Sequence, residues 1–346
     1  LISLLAIFST LAIMIASVPA QGALPHLYFG CEIYDVSNPS KPKLARKFPG
    51  ELCLFFKDGS IVQTLQDRVA KYDARMKELW SLPTKAHHQV NLSPDGRHIL
   101  IIGSEAVLTY RKYGRARSDV LYVVDQNGKV QKRFSFYDNR KQFNQAAWKN
   151  AAERRFPMVW NLDRFKEVKW EISHANSFYE IEANIAEKTN PEFKKGGYIV
   201  NDVSLMLAFV LDSSLKKIVW QKSLRPEVWN MTHDVQVLSN GRLLYYDNGT
   251  KENPQSSLRE TDLATGKDEW VYRGQEGVRF FSNRWGGIQR LADGGTLYTD
   301  ITTRPEIIEI DVSGKRRWSW YPGDGKYLQQ ARKVDLSDFL KNNKAL

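Results

Sequence analysis

Val235-Gln236-Val237-Leu238-Ser239-Asn240-Gly241-Arg242-Leu243-Leu244 is an apolar strand, an Asn-Gly turn and the start of a second strand. Asn-Gly and Asp-Gly pairs supply the left-handed backbone that a tight antiparallel hairpin needs. The same half-motif recurs at Leu54 to Ile61 around Asp58-Gly59, Val90 to Ile99 around Asp95-Gly96, and Ile288 to Leu297 around Asp293-Gly294. A second half-motif follows each time: an apolar strand ending in Asp, a short turn, a basic residue and usually Trp. Its copies run from Tyr72-Asp73 to Trp80, Val123-Val124-Asp125 to Phe134, Val210-Leu211-Asp212 to Trp220, Glu260-Thr261-Asp262 to Trp270, and Ile308 through Asp311 to Trp318.

Joined, the halves make a four-stranded meander of roughly 40 to 50 residues, the size of one β-propeller blade. A large aromatic on an outer strand fills the wedge between neighbouring blades. Complete blades are expected near residues 51–82, 86–136, 172–223, 231–273 and 280–321. Residues 26–48 hold only an outer half-motif, and Tyr327 to Asp335 supply a lone strand. Pairing the two ends removes exposed sheet edges, so the expected fold is all-β, a six-bladed propeller forming one domain over residues 23–346. Five blades with flanking decorations is the alternative.

The longest interruption of the repeat, residues 137–170, is expected to be a mainly helical insertion covering one face of the disc. Its Ala-rich run from Asn144 to Arg154 favours helix. A smaller polar insertion spans residues 183–198, with Gly196-Gly197 marking the return to a strand.

The first eighteen residues are almost wholly apolar and lead into Val18-Pro19-Ala20-Gln21, the small-residue spacing of a signal-peptidase site. Residues 1–22 are therefore expected to be an export signal, or else an N-terminal membrane anchor, with the rest periplasmic or extracellular. In an oxidising compartment Cys31 and Cys53 are either a disulfide or two buried thiols. An excess of 50 Lys and Arg over 39 Asp and Glu gives a net charge of +11, which suits anionic substrates. The basic residues are dispersed and accompany no nucleic-acid-binding motif, so no nucleic-acid partner is expected. No phosphate-binding glycine loop is present, and no cofactor is expected.

Three of the six histidines stand in register with the repeat: His88, His174 and His233 each lie at or just before the first strand of a blade. Innermost strands line a propeller's channel, so these imidazoles are expected to converge at one mouth. Three histidines without a carboxylate or Cys at ligand spacing make a weak metal signature, and no metal is expected.

His174-Ala175-Asn176-Ser177, then His233-Asp234, Asn240-Gly241 and Asp247-Asn248-Gly249, and the segment Gly287 to Leu297 together resemble the bacterial aryl sulfotransferases that use no nucleotide donor. The resemblance covers roughly residues 85–323. It implies ping-pong transfer of a sulfuryl group from an aryl sulfate to a phenol through a histidine intermediate. Imidazole is a nucleophile near neutral pH, and cationic and amide groups stabilise the sulfuryl oxygens. His233 is the expected nucleophile and His174 the acid and base, with His88, Asn176, Lys251, Asn283 and Arg284 binding substrate. Two departures stand out. Lys251 replaces the family's arginine, and the blade start Ser282-Asn283-Arg284-Trp285-Gly286 lacks the histidine that the family pattern leads one to expect there. Either His233 serves instead, or the chain is a non-catalytic propeller that binds an anionic ligand, a sulfated glycan or a protein. A quinone-dependent dehydrogenase shares only the Trp-ended repeat. Asn230-Met231-Thr232 and Asn248-Gly249-Thr250 fit glycosylation sequons.

Overall fold

The aspartate that recurs after each third strand organises the hairpin behind it. Asp73 Oδ1 accepts from the backbone N–H groups of Arg75 and Lys77 at 2.8 and 2.9 Å. Asp125 does the same for Asn127 and Lys129, Asp212 for Lys216 and Lys217, and Asp311 for Ser313 and Lys315. A short carboxylate that captures its own downstream N–H groups favours a turn over continued strand. The preceding hairpin in four blades turns on Gly59, Gly96, Gly241 and Gly294, all left-handed with φ between 72° and 84°. That backbone region costs glycine little.

The computed structural model describes residues 24–108, 115–154, 170–224, 231–250, 252–302, 304–324, 326 and 328–343, with the backbone of 156–157. The expected leader, residues 1–22, lies outside them. Six antiparallel blades are present among the described residues. From inner to outer strand, blade 1 is Ala331–Val334, His26–Phe29, Glu32–Asp35 and Lys43–Lys47, and blade 2 is Cys53–Phe55, Ile61–Thr64, Val69–Tyr72 and Glu78–Leu82. Blade 3 is Val90–Leu92, His98–Leu108, Arg115–Asp125 and Val130–Ser135. Blade 4 runs Ala175–Glu180, Tyr198–Asp202, Leu207–Leu211 and Ile218–Lys222. Blade 5 runs Thr232–Val237, Arg242–Asp247, Ser257–Asp262 and Asp268–Tyr272, and blade 6 Ile288–Arg290, Thr296–Asp300, Glu306–Ile310 and Arg316–Trp320.

The expected ring closure is present. Ala331–Val334 pairs antiparallel with His26–Phe29 as the innermost strand of blade 1, with Tyr28 opposite Arg332. The helix Ser337–Asn342 then buries Phe339 against Phe48 and Phe55 between blades 1 and 2. Apolar clusters fill the wedges between blades, and the repeated tryptophans serve them. Trp80 of blade 2 donates its indole N–H to Gln126 of blade 3 at 3.0 Å, and Trp220 of blade 4 packs against the cluster it shares with Val235 and Leu243 of blade 5.

Cys31 and Cys53 form a disulfide between blades 1 and 2, with Cα atoms 4.9 Å apart across 22 residues of sequence. Closing a loop of that length stabilises a fold by about 3 kcal/mol. Reduction is expected to lower unfolding stability by about that amount, read as a shift of the denaturant midpoint with and without reductant.

The insertion matches expectation in part. Its described part holds one ten-residue helix, Gln145–Arg154, a single 3-10 turn at Arg140–Gln142, and two short strands, Phe156–Pro157 and Trp170–Glu171, which extend the sheet of blade 3. Helix accounts for the Ala-rich run as expected but not for every described residue of the insertion, which also carries two short strands. Nor does this helical part form a lid. Gln142 and Asn144 bond to Ile218 and Gln221 on the outermost strand of blade 4, covering an edge that would otherwise offer unpaired backbone.

Candidate functional site

Two inner strands carry a bulge beside their histidine. In blade 4 the pairing shifts between Ala175 and Ser177, just after His174, and in blade 5 between His233 and Gln236. Bulges re-aim side chains next to sites. His88 and Asp234 take left-handed backbone, φ 59° and 53°, a region that strains residues with a Cβ. The register thus brings together the histidines that the sequence singled out. His174 Nε2 stands 3.1 Å from His88 Nε2, and the His88 and His233 ring centres are 6.3 Å apart.

His233 is buried and sits in a fixed orientation. The Asn248 side-chain nitrogen donates to the carbonyls of Ser282 and Trp285 at 2.8 and 2.6 Å. Its oxygen therefore faces His233 Nδ1, at 2.7 Å, and can only accept a hydrogen bond from an N–H there. The hydrogen sits on Nδ1, and the Nε2 lone pair has no partner among the described residues. Burial pushes the His233 pKa down to about 4, so the ring is neutral near pH 7. The loop held by Asn248 is pressed against Tyr246: a Cβ on Gly286 would lie 2.7 Å from that ring.

His174 has the opposite character. Burial alone would lower its pKa, but the Glu171 carboxylate, 2.5 Å from Nδ1, overcomes this and raises it. His87, adjacent to the expected His88, completes a cluster: its Nδ1 is 2.7 Å from His88 Nδ1, and its Nε2 is 2.9 Å from Asp119. Burial and Arg117 hold the His87 pKa down at about 4, and burial with the neighbouring His174 charge holds His88 well below the usual range. Arg117, wholly buried, lies 3.0 Å from Asp119 and 3.5 Å from Glu171. Burial and the charge of Asp119 raise the Asp202 pKa to about 7, and this carboxyl accepts the backbone N–H of His174 at 2.8 Å.

Among the described residues, His87, His88 and His174 form the one group of three ligand-type side chains with atoms within 4.8 Å of one another. Two imidazole nitrogens on one tetrahedral zinc, with bonds of about 2.0 to 2.1 Å, stand about 3.3 Å apart. Separations of 2.7 and 3.1 Å are those of shared hydrogens instead.

The other expected site residues are placed differently. Asn176 is committed to structure, donating to Thr232 O at 2.6 Å and accepting from Asn201 at 3.0 Å. Asn283 and Arg284 are exposed, with the Arg284 guanidinium lying over the Trp285 ring. Lys251 lies outside the described residues. His87, Arg117, Asp119 and Glu171 were not anticipated. The signal for two of them was present: Arg117 and Asp119 are opposite charges two apart on one face of a strand that runs on as Val120-Leu121-Tyr122-Val123-Val124.

Asp234 follows His233 but turns to the channel axis. There it meets Arg332 of the closing strand at 3.0 Å, accepts from Tyr179 and from Ile288 N, and lies within 3.4 Å of Gln89. Arg332 also reaches Tyr179 at 2.5 Å, so blades 1, 3, 4, 5 and 6 meet around one carboxylate.

A family model described as arylsulfotransferase (ASST) matches residues 62–323. No curated protein matches the chain. Among solved structures, a protein of unknown function from Bacteroides caccae is similar at 14% identity and TM-score 0.54, over 88% of this chain and 97% of that one. Raptor from Chaetomium thermophilum is similar at 9% identity and TM-score 0.46, over 88% of this chain and 25% of that one. BamB from Moraxella catarrhalis is similar at 10% identity and TM-score 0.38, over 85% and 69%. The Bacteroides likeness concerns fold alone.

Proposed function

The chain belongs to the arylsulfotransferase (ASST) family, and on that premise we propose that it transfers a sulfuryl group from phenolic sulfate esters to phenols, with His233 as nucleophile. One observation carries this reading: His233 is a buried, neutral imidazole whose Nδ1–H is held by Asn248 and whose Nε2 has no partner among the described residues. In the first half-reaction Nε2 attacks sulfur, an N–S bond forms, the S–O bond to the aryl group breaks, and the departing phenolate takes a proton from cationic His174. In the second, the acceptor phenol returns a proton to His174, and its oxygen displaces the imidazole from sulfur. The apolar run Leu1 to Val18 and the Cys31–Cys53 disulfide support an extracytoplasmic setting.

The test is incubation with 4-nitrophenyl sulfate and phenol, followed by mass spectrometry of the peptide containing His233. Sulfonated His233 and phenol-dependent turnover are expected. Binding of the ester with neither label nor turnover would favour the anion-binding propeller. Asn248→Ala frees the ring to take the other tautomer and is expected to lower kcat by on the order of 10² to 10⁴, read from steady-state kinetics.

A further inference from the structure

Asp119 Oδ1, both nitrogens of His87, of His88 and of His174, and Glu171 Oε1 follow one another through four contacts of 2.9, 2.7, 3.1 and 2.5 Å. Each contact needs one hydrogen. Ionised carboxylates only accept, so His87 Nε2 and His174 Nδ1 both carry one. The two nitrogen–nitrogen contacts need one each. Three neutral imidazoles carry three hydrogens, one short of the four required, so a fully neutral cluster leaves two lone pairs facing each other in a buried site.

We infer that Asp119, His87, His88, His174 and Glu171 form one hydrogen-bonded relay that holds a single excess proton on three imidazoles and serves as the proton store of the site. One arrangement satisfies every contact with the proton on His174. His174 donates from Nδ1 to Glu171 and from Nε2 to His88 Nε2. His88 then donates from Nδ1 to His87 Nδ1, and His87 from Nε2 to Asp119. Charge also closes when Asp202 carries its proton: Arg117 and the imidazolium then balance Asp119 and Glu171. The other titratable groups facing the relay are Asp202, on the second strand of blade 4, and His233, on the first strand of blade 5. His174 is its most exposed histidine, with 14% of the side chain accessible, and is the end from which a proton can leave.

The use of this store rests on the proposed transfer reaction; its existence does not. When a phenolate departs it takes the His174 proton, and the relay is left with three neutral rings and one unbridged contact. The acceptor phenol resupplies that proton in the second half-reaction, so protons balance over the cycle without exchange with water. His87, Asp119 and Glu171 are positioning residues, acting through His174.

Nitrogen-15 NMR of the imidazoles in the whole protein near pH 7 reads the store directly. One ring with both nitrogens protonated and two singly protonated rings are expected among His87, His88 and His174, unchanged by chelator. Three neutral rings, or a stoichiometric metal ion retained after chelation, would overturn the relay. The second arm is kinetic. Nitrophenolate leaves without needing a proton, whereas phenolate needs one, so His87→Phe is expected to raise the ratio of 4-nitrophenyl sulfate to phenyl sulfate turnover by about 10²-fold. His87→Gln keeps a donor toward Asp119 and an acceptor toward His88 and is expected to restore the ratio. Equal losses on both esters in His87→Phe would sink the relay's role. A wild-type protein that turns over neither ester would remove the transfer reaction while leaving the NMR result to decide the relay.

Discussion

His233→Ala is expected to abolish both turnover of aryl sulfates and covalent labelling, with a fall in kcat on the order of 10⁴ to 10⁶, the scale of losing an enzymatic nucleophile. No neighbouring imidazole can take over. Both nitrogens of His88 and of His174 are engaged in the relay, and their hydrogens and lone pairs are already used. His233 alone of the three in register offers a bare nitrogen among the described residues. Its burial sets the pH dependence of the first half-reaction. Since the ring is held near pKa 4, it is neutral and nucleophilic above that value, and protonation below it removes the lone pair. The acid limb of single-turnover labelling is therefore expected near pH 4, below the ordinary histidine range. Full activity in His233→Ala would remove the assignment.

The second large effect is on stability. Arg332→Ala is expected to destabilise the protein by about 3 to 5 kcal/mol, because it leaves Asp234 ionised, buried and without its cation. Asp234 is 1% exposed, and its partner comes from the far end of the chain, so the loss falls on the contact that holds the ring shut. Combining Arg332→Met with Asp234→Asn removes both charges and is expected to recover part of the loss. Equilibrium denaturation of the two variants measures the difference. A single variant no less stable than the double one would show that the charge pair contributes little.

The architecture was legible because its markers act locally. Asp-Gly and Asn-Gly make their turns whatever surrounds them, and Asp73, Asp125, Asp212 and Asp311 bond only to the residues that follow. The half-blades at the two ends were readable as complements for the same reason. The site was legible only where function follows the repeat, at His88, His174 and His233. Glu171 is three residues from His174 but comes from the strand that extends blade 3, and Asp119 reaches His87 from 32 residues away. Spacing in sequence does not encode such meetings. Asp234 stands next to His233 in the sequence and in the family-like motif. The left-handed turn at that residue and the bulge around it instead send its carboxylate toward the axis. Asn283 and Arg284 were selected for their place at a blade start, yet their loop lies beyond the strand, and its backbone carbonyls are what the site uses, through Asn248.

The strand pairing at the seam also sets how the ring would yield to force. His26–Phe29 and Ala331–Val334 run antiparallel with His26 opposite Val334, so the chain departs toward both termini from the same end of the ladder. Tension applied through the two termini would peel this pair one rung at a time instead of shearing all rungs together. The grips of Asn342 on Lys57 and of Asn343 on Gly59 would be loaded first, then Leu336 on His26, then the outermost rungs. Peeling would meet Lys333, paired with Glu309, at the second rung and then, at the third, Arg332, which faces Tyr28 and is clamped to the buried Asp234. The propeller is thus a ring with a zip and a catch, weak to a pull from its ends until the catch is reached.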